Sequence, residues 1–70
     1  QDPSAVDDAI LIRQAFRKLP EKYKEVLLLR FAEGLPFQEI ANIQGCSLEA
    51  VKSLFRRAVA AIHKQVNENE

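Results

Sequence analysis

Beyond Pro3 at its start, the residues that break helices fall at three places in this chain: Leu19-Pro20, the segment from Gly34 to Pro36, and Gly45. Proline disfavours the helical region for the residue before it, yet it suits the start of a new helix. Glycine accepts the left-handed backbone that ends one. Three breaks leave four segments, and within each the apolar residues recur at helical spacing rather than alternating. The fold class expected is therefore all-α, four helices joined by tight connections.

Ser4 followed three residues later by Asp7 resembles a capping box, and Ala9, Ile12, Phe16 and Leu19 follow it at the helical period, which predicts a first helix over about residues 5–18. A second helix is expected from Glu21 to about Glu33. Its Val26-Leu27-Leu28-Leu29 run with Phe31 is apolar around much of the circumference and marks it as the core helix. The short third helix is expected to turn Phe37, Ile40, Ala41 and Ile43 inward and to stop at Gly45, after which Ser47 caps a long fourth helix reaching about Val66. The core predicted from these periods comprises Phe16, Val26, Leu29, Ile40, Val51, Phe55 and Ile62. The whole is expected to be a single domain over residues 1–70, ordered over about 5–66, with a frayed polar tail from Asn67.

A chain of this length buries only about 60% of its surface on folding. Because 47% of its residues are hydrophobic, some of Leu11, Ile12, Leu28 and Leu35 are expected to remain exposed together as a patch. Cys46 and His63 are each alone in their type, which excludes an intramolecular disulfide and any cysteine-rich zinc site. No glycine-rich phosphate loop and no carboxylate pair in an apolar surround is visible, so neither catalysis, a cofactor nor a small-molecule substrate is expected. No apolar run approaches the roughly 20 residues that span a bilayer. The polar start Gln1-Asp2-Pro3 is unlike a signal peptide, and a cytoplasmic location without membrane attachment is expected.

The formal net charge is zero, but its distribution is uneven. Asp2, Asp7, Asp8, Glu68 and Glu70 hold half of the acidic residues near the ends, whereas all ten Lys and Arg lie between Arg13 and Lys64. Against the five glutamates of that interval the excess is five positive charges, enough to favour a polyanionic partner.

The informative stretch is Phe37 to Arg57. A helix-turn-helix needs a small residue where its helices cross, a glycine in the turn and an aliphatic residue packing back from the second helix. Ala41, Gly45 and Val51 stand at that spacing, with Ile40 and Cys46 as flanking apolar positions. Gln44 departs from the pattern, which favours an apolar residue there. Along the fourth helix Leu48, Val51, Phe55, Ala58 and Ile62 form an inward stripe, and Glu49, Lys52, Ser53, Arg56, Arg57 and Lys64 lie opposite. Outward cations on such a helix can meet phosphates, and an arginine can grip guanine O6 and N7 in the major groove.

The run from Leu19-Pro20-Glu21-Lys22-Tyr23 to Phe31, then Glu33-Gly34-Leu35, Phe37-Gln38-Glu39-Ile40-Ala41 and Ser47 through Ala58, resembles region four of the extracytoplasmic-function sigma factors over about residues 9–65. The resemblance implies sequence-specific binding of duplex DNA at the upstream, minus-thirty-five promoter element by the last helix. It also implies docking on the beta-subunit flap of RNA polymerase and frequent control by an anti-sigma factor. Carried over, the DNA-facing positions are Lys52, Ser53, Arg56 and Arg57. Glu49, in the first turn beside them, opposes a phosphate held by the helix start. The family's other large domain is not represented, as in an excised domain. The family often has Gly-Thr where Glu49-Ala50 stand, basic residues at Leu54 and Val59, and a serine cap at Pro36.

Two other assignments keep a place beside this one. A docking module of the same fold that binds polymerase or an anti-sigma factor without reading DNA is suggested by the acidic termini and by Leu54 and Val59. A LuxR-type effector domain shares the Glu-Val-Leu run and Glu-Ile-Ala, but usually shows Thr-Val-Lys where Ala50-Val51-Lys52 stand. Cys46 is expected to fill a small core position rather than sense redox state, and Tyr23 and Phe37 to pack rather than stack on bases. His63 is expected at the surface near the helix end. Leu54 is expected either to cover the core edge or to meet a thymine methyl.

Overall fold

A computed structural model describes residues 3–68, with side-chain surroundings from residue 9. The chain forms α1 (Pro3–Arg17), α2 (Glu21–Leu27), which runs on into a π turn at Leu28–Ala32, then α3 (Phe37–Gln44) and α4 (Leu48–Glu68). No strand occurs among the described residues. The breaks lie where proline and glycine put them. Pro20 and Pro36 have extended backbones (ψ 153° and 156°) and sit one place before their helices. Their carbonyls accept the first intrahelical bonds, from Tyr23 and Lys24 and from Glu39 and Ile40, at 3.0–3.1 Å. Gly45 ends α3 at φ 70°, and the amides of Gly45 and Cys46 both donate to the Ala41 carbonyl, a left-handed stop that a side chain would strain. Ser47 accepts the Ala50 amide at 3.1 Å, capping α4 as expected. The Ser4–Asp7 capping box falls outside the described side chains, and α1 starts at Pro3 rather than after a Ser4 cap.

The core is smaller than the apolar periods suggest. Leu19, Val26, Leu27, Ile40, Ala41, Val51 and Ala58 are buried together, and Ala15 is also buried. Phe16, Leu29, Phe55 and Ile62, expected as core, are half-buried and pack around that centre. Ala41 and Val51 are fully buried, as the helix-turn-helix crossing requires. Tyr23 and Leu54 also lean on the core, so Leu54 covers its edge.

Three expectations are corrected. Ile43 is 58% exposed, because in an eight-residue helix anchored by Ile40 and Ala41 it lies about 200° beyond Ala41. Cys46 is exposed and fills no core position, since the chain has already turned outward at Gly45. The second helix is not buried all round: Val26 and Leu27 face in, while Leu28 (50%) and Phe31 (69%) face out.

Leu28 lies one helical step of about 100° past Leu27, and a π turn begins with it. The Glu33 amide donates to the Leu28 carbonyl, five residues back, and the Leu35 amide to Leu29. One extra residue in the turn shifts the side-chain phase. Arg30 then donates from Nη1 to the Leu35 carbonyl at 3.0 Å and lies 4.6 Å over the Phe37 ring. Phe37 in turn meets Phe55 edge-on at 5.1 Å, and Phe31 lies 5.7 Å from the same Phe55 ring. Arg30 thus ties the α2–α3 connection to the start of α3 by a cation–π contact and a carbonyl bond, and Phe37 carries the link on to α4.

Candidate nucleic-acid interface

α4 has 21 residues and is about 31 Å long at 1.5 Å per residue. Its orientation is fixed from beneath. Val51 and Ala58 are fully buried two turns apart, and Phe55 is held between Phe31 and Phe37. The period then points Glu49, Ser53 and Arg56 away from the core.

The five residues proposed from the sequence do not form one uniform face. Glu49, Arg56 and Arg57 are exposed, whereas Lys52 and Ser53 are half-buried. Ser53 and Arg56 are brought together, with Arg56 Nη2 donating to Ser53 Oγ at 3.5 Å. Arg57 stands on the flank of α4 toward α2. There it lines a cleft of about 280 Å³ with Lys22, Glu25, Gln44, Cys46, Ala50 and Leu54. Arg56 and Arg57 take part in no ion pair among the described residues, where Lys24–Glu21 at 3.7 Å is the pair found, so both guanidinium groups are available to an external anion.

Gln44, the departure from the apolar pattern, was not recognised from sequence as a bridging residue. Its Nε2 donates to Glu25 Oε1 at 2.9 Å, joining the end of α3 to α2. Its Oε1 is buried without a donor among the described residues. The polar residue in an apolar slot was the available signal; its partner, 19 residues away, was not foreseeable from the helical period.

On the opposite side of the molecule, Ile12, Phe16, Leu27, Leu28, Phe31 and Ile62 line most of an open apolar groove of about 390 Å³ between α1, α2 and the second half of α4. Ile12 and Leu28 are each 50% exposed, which meets the expected patch, while Leu11 and Leu35 are half-buried. His63 is exposed, as expected, and borders this groove. No group of three or more His, Cys, Asp or Glu among the described residues could hold a metal ion. No helix among them is long and apolar enough to cross a membrane.

A glycine-turned pair of helices, the second buried on one stripe and bearing cations on the other, defines a helix-turn-helix protein. The chain belongs to the sigma-70 region 4 family, whose model matches residues 9–62. It is 34% identical over 59 residues to RNA polymerase sigma factor SigV of Bacillus subtilis, covering 84% of this chain and 36% of that one. It is 38% identical over 53 residues to RNA polymerase sigma-H factor of Pseudomonas aeruginosa, covering 76% and 28% respectively. With ECF RNA polymerase sigma factor SigW of Bacillus subtilis it shares 33% identity over 57 residues, covering 81% and 30%. The chain spans about a third of the length of these relatives. The family match decides for the sigma resemblance over a LuxR-type domain.

Proposed function

We propose that this chain is the promoter-reading module of a sigma factor, a binding domain rather than an enzyme. In this role it acts in the cytoplasm with RNA polymerase and places α4 in the major groove of the minus-thirty-five element. The observation that carries the proposal is the pair of free arginines on α4, Arg56 and Arg57, outward of a helix held by buried Val51 and Ala58. Arg56 and Arg57 reach bases or phosphates, and the half-buried Lys52 and Ser53 fix register on the backbone. Glu49 in the first turn discourages a phosphate from the helix start and leaves that end to base edges.

The test is a titration of the domain with a duplex selected from a random pool and with its scrambled counterpart, at several salt concentrations. Each neutralised phosphate steepens the dependence of log K on log salt by about 0.9, so three to four contacts give a slope of about −3. Equal binding of the two duplexes removes the promoter-reading proposal and leaves a docking module.

The apolar groove supports docking of a short helix of the polymerase beta flap, or of an anti-sigma factor that competes with it. Leu28 is half-exposed on the groove wall, so Leu28→Asp is expected to leave the fold intact. It should weaken binding of a purified flap domain at least tenfold, as for a central interface residue, with DNA affinity changed less than twofold. Unchanged flap binding would take the groove out of the docking surface.

A further inference from the structure

We infer that Glu25 is a positioning residue for Arg57, held in place by Gln44, and that the pair sets how well α4 discriminates between DNA sequences. The inference rests on the DNA-reading proposal above and deepens it.

Glu25 Oε1 is fixed by the Gln44 amide at 2.9 Å. Among the described residues this is the side-chain hydrogen bond that joins two different helices, the others lying within one helix or between near neighbours in sequence. Glu25 lines a cleft together with Arg57 and Lys22, and among the described residues no ion pair engages its carboxylate. Ala50, Leu54 and Cys46 supply the rest of the wall.

Arg57 makes no ion pair with Glu25 in the unbound chain; drawn across the cleft to this anchored carboxylate, an arginine has fewer rotamers to search and presents its remaining N–H donors in one direction, as bidentate recognition of guanine requires. Without that carboxylate the same arginine reaches any nearby phosphate. Lys22, one turn before Glu25 on α2, can compete for the carboxylate. It cannot serve the same purpose, because an ammonium has no fork to orient.

Gln44 Oε1 is buried without a donor among the described residues, in a slot where the helix-turn-helix favours an apolar side chain, and a buried acceptor left unpaired costs stability. Stability and discrimination are therefore separable at this position. Gln44→Leu removes the orphaned acceptor and is expected to raise Tm by about 4–8 °C, the shift that follows from a group of this kind in a domain of this size. The same change frees Glu25 and is expected to lower the ratio of preferred to scrambled duplex affinity about fivefold. A purely structural residue would move both quantities together.

The experiment measures Tm and the two affinities for wild type, Gln44→Leu, Glu25→Gln and Lys22→Gln, each with and without Arg57→Ala. The expected result is that Glu25→Gln lowers the ratio about fivefold, mainly by tighter binding of the scrambled duplex. In the Arg57→Ala background neither Gln44→Leu nor Glu25→Gln should change the ratio, and Lys22→Gln should affect both duplexes alike in either background. A ratio unchanged by Glu25→Gln overturns the inference, as does the same change with Arg57 absent. Failure of the wild-type protein to discriminate at all instead overturns the DNA-reading proposal, and the two failures are thus distinguishable.

Discussion

Val51→Asp is expected to leave the domain unfolded at 25 °C. Val51 is fully buried where α4 crosses α3, in the cluster that also holds Ile40, Ala41 and Val26. Among the described residues no buried polar or charged residue lies in that core to receive a carboxylate. An unpaired carboxylate there costs several kcal/mol even after it takes up a proton, because the neutral acid still lacks hydrogen-bond partners. A domain of this size has a total stability of about 4–10 kcal/mol. Val51→Ala removes two methyl groups and should cost only about 1.5–2 kcal/mol, lowering Tm without unfolding the chain. The control is Ala60→Asp, at an exposed position on the same helix, expected to stay within about 0.5 kcal/mol of wild type. Circular dichroism melts of the three variants decide the matter. A cooperative melt for Val51→Asp near that of wild type would mean that α4 does not pack as described.

The helix boundaries were legible because proline and glycine act through their own backbones. Pro20, Gly34, Pro36 and Gly45 end or begin helices whatever surrounds them, and Ser47 needs only the amide three residues ahead. Which apolar residues are core was less legible, since a period gives a face but not its width. In α3 the buried stripe is as narrow as Ile40 and Ala41, and Ile43 falls outside it. The π turn left no trace in the sequence. It is tied to Arg30 meeting Leu35 and Phe37 across a connection, a tertiary event that propensity does not encode. The candidate interface divides in the same way. Arg56 and Arg57 were visible as outward cations because one helix carries both them and the inward stripe. The half-burial of Lys52 and Ser53, and the cleft that brings Lys22, Glu25 and Gln44 beside Arg57, depend on neighbouring helices.

Replacing both arginines, Arg56→Ala with Arg57→Ala, is expected to abolish sequence discrimination while leaving the fold intact. Both side chains are exposed, and the hydrogen bond seen for them is the long one from Arg56 to Ser53 at 3.5 Å, so Tm should change little. An arginine that grips a guanine contributes about 1–3 kcal/mol of discrimination. Two such contacts amount to about 2–6 kcal/mol, or a loss of about twenty-five-fold or more on the preferred duplex, at about 1.4 kcal/mol per factor of ten. If one arginine lies on a phosphate instead, its removal weakens both duplexes and flattens the salt dependence of log K by about 0.9. The single variants assign the roles: the base-reading arginine flattens preference at one base pair, and the phosphate-binding one does not. Lys52→Ala, at a half-buried position beside them, should weaken all sequences alike. Fluorescence anisotropy on preferred and scrambled duplexes at three salt concentrations separates these outcomes. Equal affinity of wild type and the double variant on both duplexes would eliminate DNA reading by α4 and leave the apolar groove as the functional surface of the domain.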